Sequence, residues 1–222
     1  MKTTLLILFL FLPGLVNAKE FVSAEKATDV IELYTSEGCS SCPRADRWLS
    51  TLKDDDGLFR DFIPVAFHVD YWNYLGWEDR FSKKEYSQRQ RGLVHQGLVS
   101  QVYTPGFVVN SREWRSWFKG SRKWDSSKAR PGVLKANIHG DRLLIEFQQK
   151  KASVVHVAIL GSGLSTKVES GENRGRQLDH DFVVLEMVTV AGDGSWDLPM
   201  PVIPKMGQKQ TGLAVWVSPP NL

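Results

Sequence analysis

The chain has 222 residues, of which 42% are hydrophobic, 24% charged and 11% aromatic. That suffices for one large domain or two small ones and is too apolar for a disordered segment. Lys and Arg number 28 against 25 Asp and Glu, a formal charge of +3. The chain shows neither the basic stripe of a nucleic-acid-binding protein nor an acidic solvating tail, and two cysteines exclude a disulfide-dense scaffold.

Met1–Ala18 reads as a signal peptide: Lys2, an apolar run Leu5–Leu12, the breakers Pro13 and Gly14, then Val16-Asn17-Ala18 at a cleavage site. The run is well short of the roughly 20 residues a bilayer span needs. The expectation is an exported protein, periplasmic or secreted, with no membrane span after cleavage, in a compartment where disulfides persist.

From Asp29 to Trp124 strand-like and helix-like stretches alternate. Val30–Tyr34 reads as a buried strand. Ala45, Trp48, Leu49 and Leu52 form the apolar face of a helix. Val65–Val69 reads as a second strand, with Pro64 at its tolerated first position. Ser82–Glu85 has a capping-box pattern that opens a helix to about Arg91, and Phe107–Val109 is a third strand. This order implies an α/β layered unit. Asp125–Gly132 reads as a linker, after which Val133–Ile138, Arg142–Gln148, Val154–Leu160, Phe182–Val190 and Leu213–Val217 alternate as strands. The expected organisation is a signal peptide (1–18), an α/β domain (19–124), a linker (125–132) and a small all-β, sandwich-like domain (133–222).

The sharpest motif is Thr35-Ser-Glu-Gly-Cys39-Ser-Ser-Cys42-Pro43, between a strand and an amphipathic helix. A helix N-terminus favours a thiolate, which makes Cys39 the exposed attacking thiol and Cys42, one turn in, the resolving thiol. Pro43 suits the first helical turn. A disulfide this close in sequence constrains the unfolded chain little, which argues against a mere staple. Thr104-Pro105 precedes a strand, and a cis proline there would let the Thr104 backbone pair with an extended substrate. Glu32, if buried near Cys42, would accept its proton. His68 and Asp70 follow the second strand on one face and are read either as a proton relay, as a mutually bonded cap of the sheet, or, for His68, as a third metal ligand beside the cysteines. Tyr71, Trp72, Tyr74 and Trp77 wall an apolar peptide groove or pack inside, and Tyr103, beside Thr104, is read with Trp72 and Trp77 as substrate-binding. Glu169–His180 is polar and reads as a solvated turn or as a segment folded over the cysteine rim.

At these residues the chain resembles an uncharacterised family of exported bacterial thioredoxin-like proteins. The resemblance rests on five blocks: Thr35–Pro43, His68–Trp77, Arg89–Arg91, Tyr103–Pro105 and Gly171–His180. It implies a thioredoxin-like N-terminal domain in which Cys39, Cys42 and Pro105 match the attacking cysteine, the resolving cysteine and the cis proline. The chain departs from thioredoxins in Gly38, where they carry Trp, and in Leu33, where they carry a buried acid. The favoured function is a thiol–disulfide oxidoreductase acting on protein or peptide thiols and disulfides, without nucleic acid, cofactor or metal. The alternatives are a copper or zinc module using Cys39, Cys42 and His68, and an interaction protein with a structural disulfide. Oligomeric state is left open.

Overall fold

The computed structural model describes residues 19–220, so the expected signal peptide lies outside the described residues. β1 (Lys19–Val22) is followed by β2 (Asp29–Thr35), α1 (Pro43–Thr51), β3 (Phe62–His68), α2 (Lys84–His95), β4 (Gly106–Val109) and β5 (Arg112–Glu113). Then come β6 (Leu134–His139), β7 (Arg142–Phe147), β8 (Ser153–Ser162), β9 (Leu164–Lys167), β10 (Gln177–His180), β11 (Val183–Gly192), β12 (Ser195–Pro199) and β13 (Gln210–Ser218). No helix among the described residues is long and apolar enough to cross a membrane.

Seven strands form one mixed sheet in the order β13-β8-β11-β3-β2-β4-β5. β2 and β3 are parallel, with Thr35 opposite His68, so their carboxyl ends lie side by side. β11 starts parallel to β3, with Val183 opposite Ala66, and then runs antiparallel to β8. A second, antiparallel sheet has the order β1-β6-β7-β12, and β9 with β10 makes a short ribbon.

Side-chain alternation gives the large sheet two different faces. On one, Tyr34, Phe67, Leu160, Val184 and Trp216 form a continuous layer with Tyr86 and Leu93 of α2. The other face is divided. Beside β2 and β4, Ile31, Leu33 and Phe107 pack against Ala45 and Leu49 of α1, joined by Trp114 and Trp117. Beside β8, Val155 and Val157 pack against Leu143, Ile145 and Trp196 of the four-stranded sheet. Phe107 is enclosed by Trp48, Trp114 and Trp117 at centroid distances of 5.0, 5.6 and 4.9 Å, burial that contributes about 1.5–3 kcal/mol for one such side chain.

This architecture overturns the expected fold class, an α/β thioredoxin-like domain followed by a separate small all-β sandwich. The described residues hold two α-helices against thirteen strands, and β8, β11 and β13 extend the very sheet that contains β2, β3 and β4. Alternation reveals a half-buried strand but not the sheet it joins. β8 is buried along nearly its whole length because it is an interior strand, flanked by β11 and β13 and covered on both faces. The expected linker lies in a stretch, 121–133, without helix or strand. It is tied back at Asp29, whose carboxylate accepts from Trp124 Nε1 (2.9 Å) and Ser127 N (2.9 Å).

Two local expectations also change. β3 begins two residues before Pro64, which stands opposite Ile31 within the strand. Ala66 N donates to Phe182 O on the β11 side (2.8 Å). Pro64, two residues earlier, turns its nitrogen the same way, where β11 has not begun, so no ladder bond is lost. The capping box at Ser82–Glu85 is not used. Ser82 Oγ donates instead to Asp79 O (2.8 Å), and α2 starts at Lys84 without a side-chain cap.

Candidate functional site at the disulfide loop

The chain leaves β2 at Thr35 and turns through Ser36-Glu37-Gly38. Gly38 N donates to Ser36 Oγ (3.1 Å) and Cys39 N to Ser36 O (3.2 Å). Cys39 and Cys42 form a disulfide with Cα atoms 5.4 Å apart. Cys42 is the N-cap of α1, its carbonyl accepting from Ala45 N and Asp46 N, and Pro43 occupies the first turn, where no N–H is missed. The pair thus sits at the strand–helix junction the motif implied.

It is not exposed there. Cys39 is 1% and Cys42 0% accessible. Trp72 lies against Gly38 so closely that an added Cβ would come within 3.0 Å of Trp72 Cβ. The Gly171–His180 segment lies over the loop and is not a free solvated turn. Asn173, fully buried, donates through Nδ2 to Glu37 O (2.7 Å) and Cys39 O (2.9 Å). Arg176 holds Asn173 Oδ1 at 2.9 Å. The Glu172 carboxylate accepts from Ser40 N (2.9 Å), and its pKa is lowered by the Ser40 side chain first and the Ser40 backbone second.

Beneath the loop lies a buried polar cluster. His68 Nδ1 donates to Asp79 Oδ2 (2.7 Å), and the same oxygen accepts from Glu37 N (2.8 Å). The Glu37 carboxylate accepts from Trp77 Nε1 (2.9 Å) and contacts His180 Nε2 (3.2 Å). The His68 and His180 rings meet edge to face at 4.9 Å. Burial pushes His68 towards neutrality, but the adjoining Asp79, with Asp46 and Glu37 behind it, outweighs this and raises it to about 9. Burial likewise raises Asp79, but His68 and the backbone donors leave it lowered on balance. His68 and Asp79 therefore form a buried ion pair. Asp46, on α1 one turn beyond Cys42, is raised by burial, with His180 and His68 offsetting it in part.

The residues singled out from sequence divide into two groups. Thr104 and Pro105 lie beside the disulfide loop, with the Thr104–Pro105 bond cis, and Trp72 Nε1 donates to Thr104 Oγ1 (2.7 Å). His68 is below the loop. The others point elsewhere. Glu32 alternates with Leu33 and so faces α2, on the side of the sheet opposite α1. There Arg89 donates to both of its oxygens (2.9 and 2.7 Å) and Tyr34 Oη to one (2.7 Å). Burial alone would raise Glu32, but Arg89 lowers it. Asp70 bonds the Ser87 hydroxyl on α2, because β3 ends at His68 and the alternation stops there. Trp77 is spent on Glu37, and Tyr103 Oη donates to Glu113 (2.8 Å). Sequence reasoning misses Glu37, Asp46 and Asp79 as site residues, whereas Asn173 lies in the Glu169–His180 segment, one of whose expected placements is over the cysteine rim. The available signal was Asp46 four residues after Cys42, on the same helix face.

An open depression of about 460 Å³ adjoins the loop, lined by Ser40, Ser41, Pro43, Thr104, Pro105, Trp117 and Phe118, with Arg44, Arg47 and Arg176 around them. Among the described residues no group of three or more His, Cys, Asp or Glu is arranged to hold a metal ion.

The family model for proteins of unknown function designated DUF1223 matches residues 30–218. The chain belongs to this family. All five sequence blocks fall within the matched DUF1223 span, and four of them meet around the disulfide loop or its depression: the cysteine block, the strand-end block carrying His68 and Trp77, the Thr104-Pro105 block and the Asn173 segment. No curated protein matches the chain. Among solved structures, the crystal structure of protein AGR_C_4864 from Agrobacterium tumefaciens is similar, with 26% identity over 80% of each chain and a TM-score of 0.59. HBP35 of Porphyromonas gingivalis is 16% identical over 88% of this chain and 70% of its own, with a TM-score of 0.53, a likeness of fold alone.

Proposed function

We propose that this DUF1223 protein is an exported thiol–disulfide oxidoreductase acting on protein or peptide substrates. The observation that carries the reading is a disulfide at a helix N-terminus, under the rim of a depression lined by Thr104 and Pro105. A substrate thiolate attacks Cys39 Sγ, the Cys39–Cys42 bond breaks, and its electron pair leaves on Cys42 Sγ, which takes up a proton. A second substrate thiolate then attacks the substrate sulfur of the mixed disulfide and releases Cys39. Two thiols become one disulfide, and the protein gains two electrons and two protons. Run backwards, the same steps reduce a substrate disulfide. On this reading Asp46, rather than Glu32, exchanges the proton with Cys42, since it lies one turn away and its pKa is raised. Because Cys39 is covered, exchange requires the Ser40-Ser41 loop or the Asn173 segment to shift. Disulfide pairing is consistent with work outside the reducing cytosol.

The metal alternative requires both cysteines free and His68 available. The cysteines are bonded to each other and His68 is paired with Asp79, so no observation favours it. The deciding experiment is the reduction potential of the pair, together with a Cys42→Ala variant. A potential above about −250 mV and a stable mixed disulfide through Cys39 with a cysteine peptide are expected. A potential below about −300 mV with no mixed disulfide leaves a structural bond and the interaction-protein reading.

A further inference from the structure

The depression carries one sign of charge. Arg44 and Arg47 are three residues apart on α1 and share an exposed face. Arg176 reaches in from the Asn173 segment, one Nη1 bond fixing it and its other donors remaining for a ligand. Trp117 forms a wall, with the Arg44 guanidinium 5.7 Å and that of Arg122 4.8 Å from its ring centroid. Among the described residues no acidic side chain lines the space. The Glu172 carboxylate accepts from Ser40 N at its edge, and Asp46 and Asp179 border, with Arg47, a smaller hollow that shares Pro43 and Arg47 with it. The Ser40 amide at the mouth of the cysteine loop is taken by the Glu172 carboxylate, so a ligand there meets the arginine side chains rather than that amide.

We infer that the substrate is an acidic peptide segment, a cysteine flanked by Asp or Glu, laid along Thr104 and Pro105 with its carboxylates against Arg44, Arg47 and Arg176. The inference rests on the exchange reaction above. It commits to a peptide because the depression opens to solvent and Thr104, before the cis proline, lines it, so an extended chain laid there would run beside the Thr104 backbone. Its volume lies within the roughly 300–1,000 Å³ of ligand sites. Exposed charges act here by concentrating the partner, so the preference weakens with salt.

The test uses the full oxidised protein lacking only its signal peptide and three cysteine peptides flanked by acidic, neutral or basic residues. Rates of peptide oxidation are normalised to each peptide's rate with 2-hydroxyethyl disulfide, which removes intrinsic thiol reactivity. The acidic peptide should react on the order of 10-fold faster than the neutral one at low salt. The advantage should shrink with added salt and vanish in an Arg44→Gln, Arg47→Gln, Arg176→Gln variant. Arg44→Gln with Arg47→Gln alone, which leaves Asn173 anchored, should lose most of it. Equal rates for the three peptides, or a preference that survives in both variants, overturns the inference while leaving the exchange reaction standing. Mercaptosuccinate preferred over mercaptoethanol by as much as the acidic over the neutral peptide overturns the peptide assignment. Serine-for-cysteine versions of the peptides read binding alone. If none of the cysteine peptides exchanges but the acidic serine peptide binds in an arginine-dependent way, the oxidoreductase reading fails and the acidic partner stands.

Discussion

The ion pair between His68 and Asp79 makes stability depend on pH in a direction that can be worked out. The folded value of His68 is about 9 against 6.5 for the unfolded chain, so the folded state holds the proton more tightly. The contribution is complete below about pH 6.5, declines above it and is gone once pH has risen through about 9. Each pH unit between the two values corresponds to 1.36 kcal/mol, so the loss is about 3 kcal/mol. Asp79 is lowered, so its own share disappears only on the acid side, as pH falls through its folded value. Both cysteines are in the disulfide and no other cysteine exists, so no thiol titrates in the alkaline range. Thermal unfolding from about pH 6 to about pH 9.5 should lower Tm by about 6–12 °C, given about 2–4 °C per kcal/mol at this size. His68→Gln should start less stable and lose little over that range. Wild type and His68→Gln declining in parallel would refute the argument, because the pH dependence would then belong to other groups.

Two further outcomes follow from buried partners. Arg89→Met strands the Glu32 carboxylate, 2% exposed, between β2 and α2, so urea unfolding should show a loss of about 3–5 kcal/mol. Adding Glu32→Leu should restore much of it, and a single variant within about 1 kcal/mol of wild type would show that water reaches the site. Asn173→Ala leaves the buried carbonyls of Glu37 and Cys39 without their side-chain donor, a cost of about 1–3 kcal/mol. It should also speed reduction of the disulfide by a phosphine, and an unchanged reduction rate would place the barrier in the Ser40-Ser41 loop or Trp72 instead.

The elements that position the cysteines were legible because their signals are local. The alternation of Ile31, Leu33 and their neighbours and the helical spacing of Ala45 and Leu49 each depend on a few consecutive residues, and β2, α1, β3 and β4 follow them. The same alternation already separates Glu32 from Leu33, so the placement of Glu32 away from α1 was readable once Leu33 was assigned to the helix side. What was not readable depends on distant pairing. β9, β10 and β12 are short and half polar and are strands only through their partners. Asp46 looks like an ordinary helical acid until His180, from far along the chain, closes over it. The joining of β11 to β3 rests on one register pair, Val183 with Ala66, which no period in either segment announces.

That junction has a consequence for biogenesis. Asn173 is 134 residues from Cys39, and β3 acquires its second neighbour only from β11. A chain emerging from its amino terminus therefore presents Cys39 and Cys42 long before the segment that will shelter them exists. On the export reading proposed above, the two thiols are open during that interval to an oxidant of the receiving compartment. The pair can therefore close before the segment carrying Asn173 is available to cover it.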